Sequence, residues 1–232
     1  MPELTTLLLA PLLLLQGKWV RYKQPMLTEA HGTRSGVDGR GKRLSIIIWG
    51  DSAAAGVGVT HQRQALSGQL VQQLMVDYQV HWQVLARSGL TTEQAPQLLK
   101  QHNGHKVDVV IISLGVNDAK SPISVRRWLL ALEHALAAMQ AQLQPRLIIM
   151  NPLPPLAHFT ALPQPLRFWL GWRAQMFNQA LMRWSKHQQG LALMQLPSRG
   201  APLAADGFHP SVQAYQLWAE QLSHTIRQHQ QG

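Results

Sequence analysis

Cysteine is absent from the 232 residues of this chain. Its absence excludes a disulfide framework, a zinc ribbon, an iron–sulfur site and a cysteine nucleophile, because each of these needs thiol sulfur. It does not fix the cellular compartment, since periplasmic proteins can also lack cysteine. With 46% hydrophobic residues the chain is too apolar to be disordered and long enough to bury one sizeable core.

Acidic residues are also scarce, with 11 Asp and Glu against 21 Lys and Arg and a formal net charge of +10. A positive field attracts anions such as nucleic acid, anionic lipid or acidic substrates. The basic residues are scattered and form no recognised nucleic-acid-binding motif, so we expect no nucleic-acid partner. Three of the few acids, Asp51, Asp118 and Asp206, occur in the motifs described below.

The apolar run at the start of the chain, Leu4–Leu15, is too short to span a membrane, which takes about 20 apolar residues. Basic and aromatic residues alternate after it, as is typical of an interfacial membrane anchor; they are Lys18, Trp19, Arg21, Tyr22 and Lys23. Two other interpretations stay open. The run forms a helix packed on the domain's own surface, or it is a signal sequence without the usual basic start and cleavage site.

The rest of the chain reads as one domain. We predict that residues 1–27 are the N-terminal segment with membrane contact, that residues 28–42 are a linker and that residues 43–232 fold together. Five strands are predicted, at Leu44–Trp49, Val80–Leu85, Val107–Leu114, Arg146–Met150 and Leu191–Met194. Five helices are predicted, at Gln64–Asp77, Thr91–Gln101, Ile123–Leu143, Leu166–His187 and Ser211–Gln228. This alternation predicts an α/β domain with a five-stranded parallel sheet and helices on both faces.

Residues able to do chemistry follow the first three predicted strands and precede the last predicted helix. They occur in Gly50-Asp51-Ser52, Arg87-Ser88-Gly89, Gly115-Val116-Asn117-Asp118 and Asp206-Gly207-Phe208-His209-Pro210. In open parallel sheets the active site lies beyond the carboxyl ends of the strands. Each stretch is a weak signal alone, but their order and their placement at strand ends make the combination specific.

These residue types match the needs of acyl transfer. Ser52 is the candidate nucleophile, His209 the base that takes its proton, and Asp206 the group that orients the imidazole. The tetrahedral intermediate needs preorganised donors for its oxyanion. The Ser52 N–H, the Gly89 N–H and the Asn117 side-chain amide are the three candidates.

On these residues the chain resembles the SGNH (GDSL-type) hydrolases over about residues 43–230. The residues that match the family's blocks are Ser52, Gly89, Asn117, Asp206 and His209. The resemblance implies a flavodoxin-like three-layer α/β/α sandwich, hydrolysis of esters or thioesters, and no metal or other cofactor. The family's usual Leu after the nucleophile is Ala53 here, which concerns pocket shape and subfamily more than catalysis.

The sequence therefore predicts a serine hydrolase that cleaves carboxylic esters or thioesters through an acyl-enzyme, with a small-molecule or lipid-like ester as substrate. A catalytically silent, membrane-associated binding protein on the same fold is the alternative. Basic residues after the apolar run favour a cytoplasmic domain, associated with the membrane through residues 4–23. A periplasmic or secreted location is the alternative. Neither the acyl chain nor the leaving group follows from the sequence.

A proline-rich apolar segment, Asn151–Leu170, precedes the fourth predicted helix. Ordinary packing against a neighbouring helix would explain it. The second interpretation is an apolar wall or lid beside the active site that also contacts lipid.

Overall fold

The computed structural model describes residues 3–102, 104, 106–194 and 201–231, and within these ranges it describes side chains from residue 8 to residue 230. Six strands are present: β1 (Ser35–Asp38), β2 (Lys42–Gly50), β3 (Tyr78–Ala86), β4 (Val109–Ser113), β5 (Leu147–Met150) and β6 (Leu191–Leu193). The helices are α1 (Glu3–Lys23), α2 (Leu66–Leu74), α3 (Pro96–Leu99), α4 (Val116–Lys120), α5 (Val125–Leu143), α6 (Leu166–Ser185) and α7 (Val212–Gln231).

The strands form a single sheet in the order β1-β3-β2-β4-β5-β6. All neighbouring pairs except β1 and β3 are parallel. The central strands are mainly apolar along their buried lengths, LSIIIW in β2 and VVII in β4, because helices cover both of their faces. The predicted α/β fold with a parallel sheet between helical layers is thus confirmed, although the sheet has six strands rather than five.

The sixth strand, β1, lies in residues 28–42, which we predicted to be a linker. It pairs antiparallel with β3 at the edge of the sheet, with Gly36 opposite Trp82. The Trp82 Nε1–H donates to the Asp38 Oδ2 atom at 2.7 Å, and the indole ring lies over Gly36, where a side chain would crowd it. A four-residue edge strand of sequence SGVD shows no apolar alternation, and so its pattern gave no signal.

The core consists of two layers, one on each face of the sheet. One contains the inward faces of α3, α5 and α6, with Trp128 and Phe177 packed ring against ring at 4.6 Å between centroids. The other contains α2 and α7, around Leu66 and Tyr215. The inward face of α6 includes four buried residues and the partly buried Trp184; the four are Leu170, Ala174, Phe177 and Leu181.

The predicted helix at Thr91–Gln101 is largely wrong, because only Pro96–Leu99 is helical. Thr92 is held in a turn instead. Its backbone N–H and its hydroxyl both donate to the carboxylate of Asp118, the hydroxyl at 2.8 Å. This contact ties the loop after β3 to α4 and holds Thr92 in the turn that precedes α3.

The N-terminal segment is a 21-residue helix that packs on the domain by one face. Leu13 and Val20 are 7% exposed and belong to the core layer of α5 and α6. The Gln16 side chain donates to the Gln164 carbonyl at 2.7 Å and accepts from the Leu166 N–H at 3.1 Å. No helix in the described ranges has both the length and the apolar content needed to cross a bilayer.

Candidate active site

The carboxyl ends of β2, β3 and β4 are level with one another. Gly50 pairs with Ala86 of β3 on one side and with Ser113 of β4 on the other. Ser52, Gly89 and Asn117 follow these three residues by two, three and four positions. Because parallel strands end at the same edge of the sheet, the register places the three candidate residues together.

The imidazole of His209 links the hydroxyl of Ser52 to the carboxylate of Asp206. His209 Nε2 lies 3.0 Å from Ser52 Oγ, although 157 residues separate the two in the chain. On the opposite side of the ring, Nδ1 lies 2.5 Å from Asp206 Oδ2. The carboxylate fixes the tautomer with hydrogen on Nδ1, which leaves Nε2 free to accept the serine proton.

The loop that carries His209 is held by Asp206. The second carboxylate oxygen, Oδ1, accepts from the N–H groups of Phe208 at 2.9 Å and His209 at 3.0 Å. Burial opposes ionisation of Asp206, but the bonds from the His209 side chain and from these two N–H groups lower the pKa of its carboxyl below the ordinary value. Asp206 is therefore ionised near neutral pH.

Tyr215, which the sequence analysis did not single out, joins the two halves of this arrangement. It is fully buried on α7, six residues after His209. Its hydroxyl lies 2.9 Å from the carbonyl of Ala53 and 2.8 Å from that of Val57, both in the loop that follows Ser52. A buried Tyr usually finds a partner for its hydroxyl, so its position on the apolar face of a predicted helix was the available signal.

The three candidate oxyanion donors differ in their present partners. No described residue accepts a hydrogen bond from the N–H of Ser52 or of Gly89. Gly89 has a φ of +77°, a conformation that glycine adopts readily. The Asn117 amide donates to the Leu90 carbonyl at 2.9 Å, and its nitrogen lies a longer 3.4 Å from Asp51 Oδ2. One of the two amide hydrogens of Asn117 thus makes a normal hydrogen bond, and the other makes only a long one.

Two buried carboxylates, Asp51 and Asp118, hold the loops around the candidate site. Burial raises the pKa of Asp51 to about 6, although its carboxylate accepts a bond from the Ala53 N–H at 3.1 Å. Burial also raises the pKa of Asp118, against the effect of its bonds from Thr92. Asp51 contacts the loop that presents Ser52 and the Asn117 amide, whereas Asp118 contacts Thr92 in the loop after β3. No hydrogen bond joins either carboxylate to the His209 imidazole.

An apolar cavity of about 240 Å³ opens beside Ser52 and His209. It reaches toward Asn151 after β5 and Trp218 on α7, whose Nε1–H donates to the Asn151 side chain at 2.8 Å. The proline-rich segment after β5 forms one wall, and its residues include Leu153, Pro154 and Phe159. The side chains of Leu203, Phe208 and Leu217 line the cavity elsewhere. Among the described residues, no cluster of three or more His, Asp or Glu side chains could hold a metal ion.

Known structures share this architecture. The esterase EstA from Pseudoalteromonas sp. is 20% identical and aligns with a TM-score of 0.59, covering 81% of this chain and 99% of that one. A lipase/acylhydrolase from Enterococcus faecalis is 22% identical, with a TM-score of 0.58 over 80% and 96% of the two chains. A carbohydrate esterase family 2 enzyme from Corynascus thermopiles (Myceliophthora fergusii) is 17% identical, with a TM-score of 0.62 over 82% and 67%.

At these identities the structural likeness shows the fold. No curated protein matches the sequence significantly. The sequence model of the GDSL-like Lipase/Acylhydrolase family matches residues 48–217, which is most of the chain. The matched range includes all five candidate residues, Ser52, Gly89, Asn117, Asp206 and His209. The chain therefore belongs to the GDSL-like lipase/acylhydrolase family, a family of ester hydrolases.

Proposed function

We propose that this protein is a serine esterase in which Ser52, His209 and Asp206 form the catalytic triad. The single observation that carries the proposal is the continuous contact from Ser52 Oγ to His209 Nε2 and from His209 Nδ1 to Asp206 Oδ2, at 3.0 and 2.5 Å. A serine hydroxyl is a weak nucleophile until a base takes its proton, and this geometry supplies the base together with the group that orients it.

In the first half-reaction Ser52 Oγ forms a bond to the acyl carbon while its proton moves to His209 Nε2. The carbonyl π electrons move onto oxygen, and the N–H groups of Ser52 and Gly89 and the Asn117 amide stabilise this oxyanion. When the oxyanion collapses, the bond to the leaving group breaks. His209 gives its proton to the departing alcohol or thiol, and the acyl group remains on Ser52.

In the second half-reaction a water molecule replaces the leaving group. His209 takes a proton from the water, whose oxygen bonds to the acyl carbon and regenerates the oxyanion. Collapse then releases the carboxylic acid and returns the proton to Ser52. Asp206 stays ionised throughout and stabilises the imidazolium that forms in each half-reaction.

The cavity indicates which part of the substrate is held. Its walls are mainly Leu, Pro and Phe side chains, and it begins at Ser52 and His209. An apolar cavity adjoining the nucleophile suits the acyl chain of a carboxylic ester or thioester, since burial of methylene groups is favourable there. A small-molecule or lipid-like ester is therefore the proposed substrate class.

The test compares wild type with Ser52→Ala on p-nitrophenyl esters and on a fluorophosphonate probe that labels activated serines. We expect hydrolysis and labelling in the wild type and loss of both in Ser52→Ala. Ser113→Ala is the matched control, because Ser113 lines the same cavity at the end of β4 and should keep both activities.

The alternative is a catalytically silent, membrane-associated binding protein on the same fold. Absence of labelling in folded wild-type protein would favour that alternative and overturn the proposed triad. Labelling that persists in Ser52→Ala would show that another residue is the nucleophile.

A further inference from the structure

An exposed apolar stripe runs along α1. Its members recur at alternating spacings of four and three residues, which places them on one face of the helix. They are Leu8, Leu12, Leu15, Trp19 and Tyr22, with exposed fractions of 76%, 42%, 65%, 49% and 89%. Below, these five residues are called the α1 stripe. Contiguous exposed apolar surface of this kind marks an interaction site in a soluble domain.

The α1 stripe is not the face by which the helix packs on the domain. The packing face contains Leu13, Gln16 and Val20, each one residue after a stripe member and therefore about a quarter-turn away. Because Gln16 bonds to both Gln164 and Leu166, the helix is fixed in orientation and the stripe faces solvent.

Basic side chains flank the α1 stripe. Lys18, Arg21 and Lys23 are all exposed, and the Lys23 ammonium lies 5.3 Å from the Trp19 ring centroid in a cation–π contact. The sequence from Leu4 to Lys23 contains no acidic residue, and the whole chain carries a formal charge of +10. An apolar face with cations and an aromatic belt at its edge has the composition of an interfacial helix.

We propose that the α1 stripe docks the protein on an anionic lipid surface, with α1 lying in the plane of the headgroups. Leu8, Leu12 and Leu15 enter the boundary of the acyl region, and Trp19 and Tyr22 stay at headgroup level. The flanking Lys and Arg side chains extend toward lipid phosphates. The helix lies on the membrane and does not cross it.

Charge complementarity favours lipid over a second copy of this chain. In a two-fold symmetric dimer formed through the α1 stripe, the basic flank would meet either its own symmetry mate or the uncharged start of the partner helix. No acidic residue between Leu4 and Lys23 would neutralise it. Like charges in close contact oppose such an interface, whereas anionic headgroups neutralise the same cations.

The proline-rich segment connects α1 to the candidate active site. Gln16 contacts Gln164 and Leu166, at the end of the proline-rich segment whose earlier residues form a wall of the apolar cavity. Docking of α1 on lipid would therefore hold that wall near the membrane surface. The docking itself does not depend on the proposed esterase activity.

The test is co-flotation of the full-length protein with phosphatidylcholine vesicles, with and without phosphatidylglycerol. We expect wild type to bind the phosphatidylglycerol vesicles, and added salt to weaken the binding. Leu15→Glu with Trp19→Glu should lower the partition coefficient at least roughly tenfold. Val76→Glu with Leu130→Glu is the control, since it makes the same charge change at exposed apolar positions, 77% and 48% exposed, outside α1.

Two outcomes would overturn the docking proposal. Either wild type binds neither kind of vesicle, or the control pair loses binding as fully as the stripe pair. If wild type binds no vesicles, a dimer in sedimentation that the stripe pair disrupts would identify a second copy as the occupant instead. Hydrolysis of soluble p-nitrophenyl acetate by both pairs, measured in parallel, reports folding and the proposed activity separately from lipid binding.

Discussion

Gly58 lies directly against the loop that carries His209. A Cβ atom at position 58 would stand 2.2 Å from the Pro210 carbonyl oxygen and 3.3 Å from the His209 Cβ, and the φ of this glycine is +109°. Any side chain at position 58 must therefore displace the backbone of the loop or distort its own.

We predict that Gly58→Ala lowers kcat roughly 100-fold, because a small displacement of His209 removes its contact with Ser52. Stability should fall by about 1–3 kcal/mol from the backbone strain. Gly104→Ala is the control for strain alone, since Gly104 has a φ of +77° and open space around its Cβ position. Equal kcat values for the two variants would show that the loop tolerates the displacement.

The second prediction concerns the oxyanion. Asn117→Ala should lower kcat about 100- to 1000-fold with little change in KM, because its amide is expected to act on charge that develops in the transition state. Asn178→Ala is the matched control. Asn178 also joins a loop to the fold, through bonds of 2.8 Å to the N–H and carbonyl of Leu153, but it does not contact Ser52 or His209. Steady-state kinetics on p-nitrophenyl butyrate measure both variants. An equal loss of kcat in the two would contradict the role of Asn117 as an oxyanion donor.

The third prediction is a pH dependence of stability that comes from Asp51. Burial raises the pKa of Asp51 from 3.8 to about 6, so the folded protein holds this proton more tightly than the unfolded chain. Protonated Asp51 therefore contributes about 3 kcal/mol to the free energy of unfolding below about pH 4. This contribution is lost as the pH rises through about 6.

Asp51→Asn carries no ionisable group at this position and should not show that loss. The stability of Asp51→Asn relative to wild type should therefore rise by up to about 3 kcal/mol between about pH 4 and pH 7. Urea unfolding of both proteins across this range measures the difference. A difference that stays constant with pH would mean that Asp51 does not titrate as its burial implies.

The fourth prediction tests the cavity. Ala214 lines it from α7 and is 7% exposed, so Ala214→Leu fills part of the space. We expect kcat/KM for p-nitrophenyl octanoate to fall about tenfold, with acetate hydrolysis nearly unchanged. Ala137→Leu adds the same side chain on the exposed face of α5 and should leave the ratio of the two substrates unaltered. An unchanged ratio in Ala214→Leu would place the acyl chain elsewhere.

The proximity of the candidate residues could be predicted from the sequence better than the edges of the fold could. Ser52, Gly89 and Asn117 follow strands whose apolar runs are unmistakable, and parallel pairing brings the ends of such strands together. Asp206 and His209 share one short loop, so their contact required only local geometry. The contact of that loop with Ser52 was expected from the general position of active sites in open parallel sheets and from the needs of acyl transfer. The family resemblance added the three-layer sandwich.

Features that depend on tertiary contacts left no local pattern. Strand β1 exists because Gly36 accommodates the Trp82 ring, and the segment around Thr92 is a turn because Asp118 binds it. The roles of Gly58 and Tyr215 follow from what they meet across the fold. The spacing of residue types along the sequence does not reveal such long-range contacts.

The separation of Ser52 from His209 by 157 residues has a consequence for synthesis of the protein. Translation delivers the hydroxyl directly after β2, whereas the imidazole and the helix carrying Tyr215 emerge only after the other strands of the sheet. Under the proposed chemistry a ribosome-bound chain remains inert toward esters until the loop of His209 and helix α7 have left the exit tunnel.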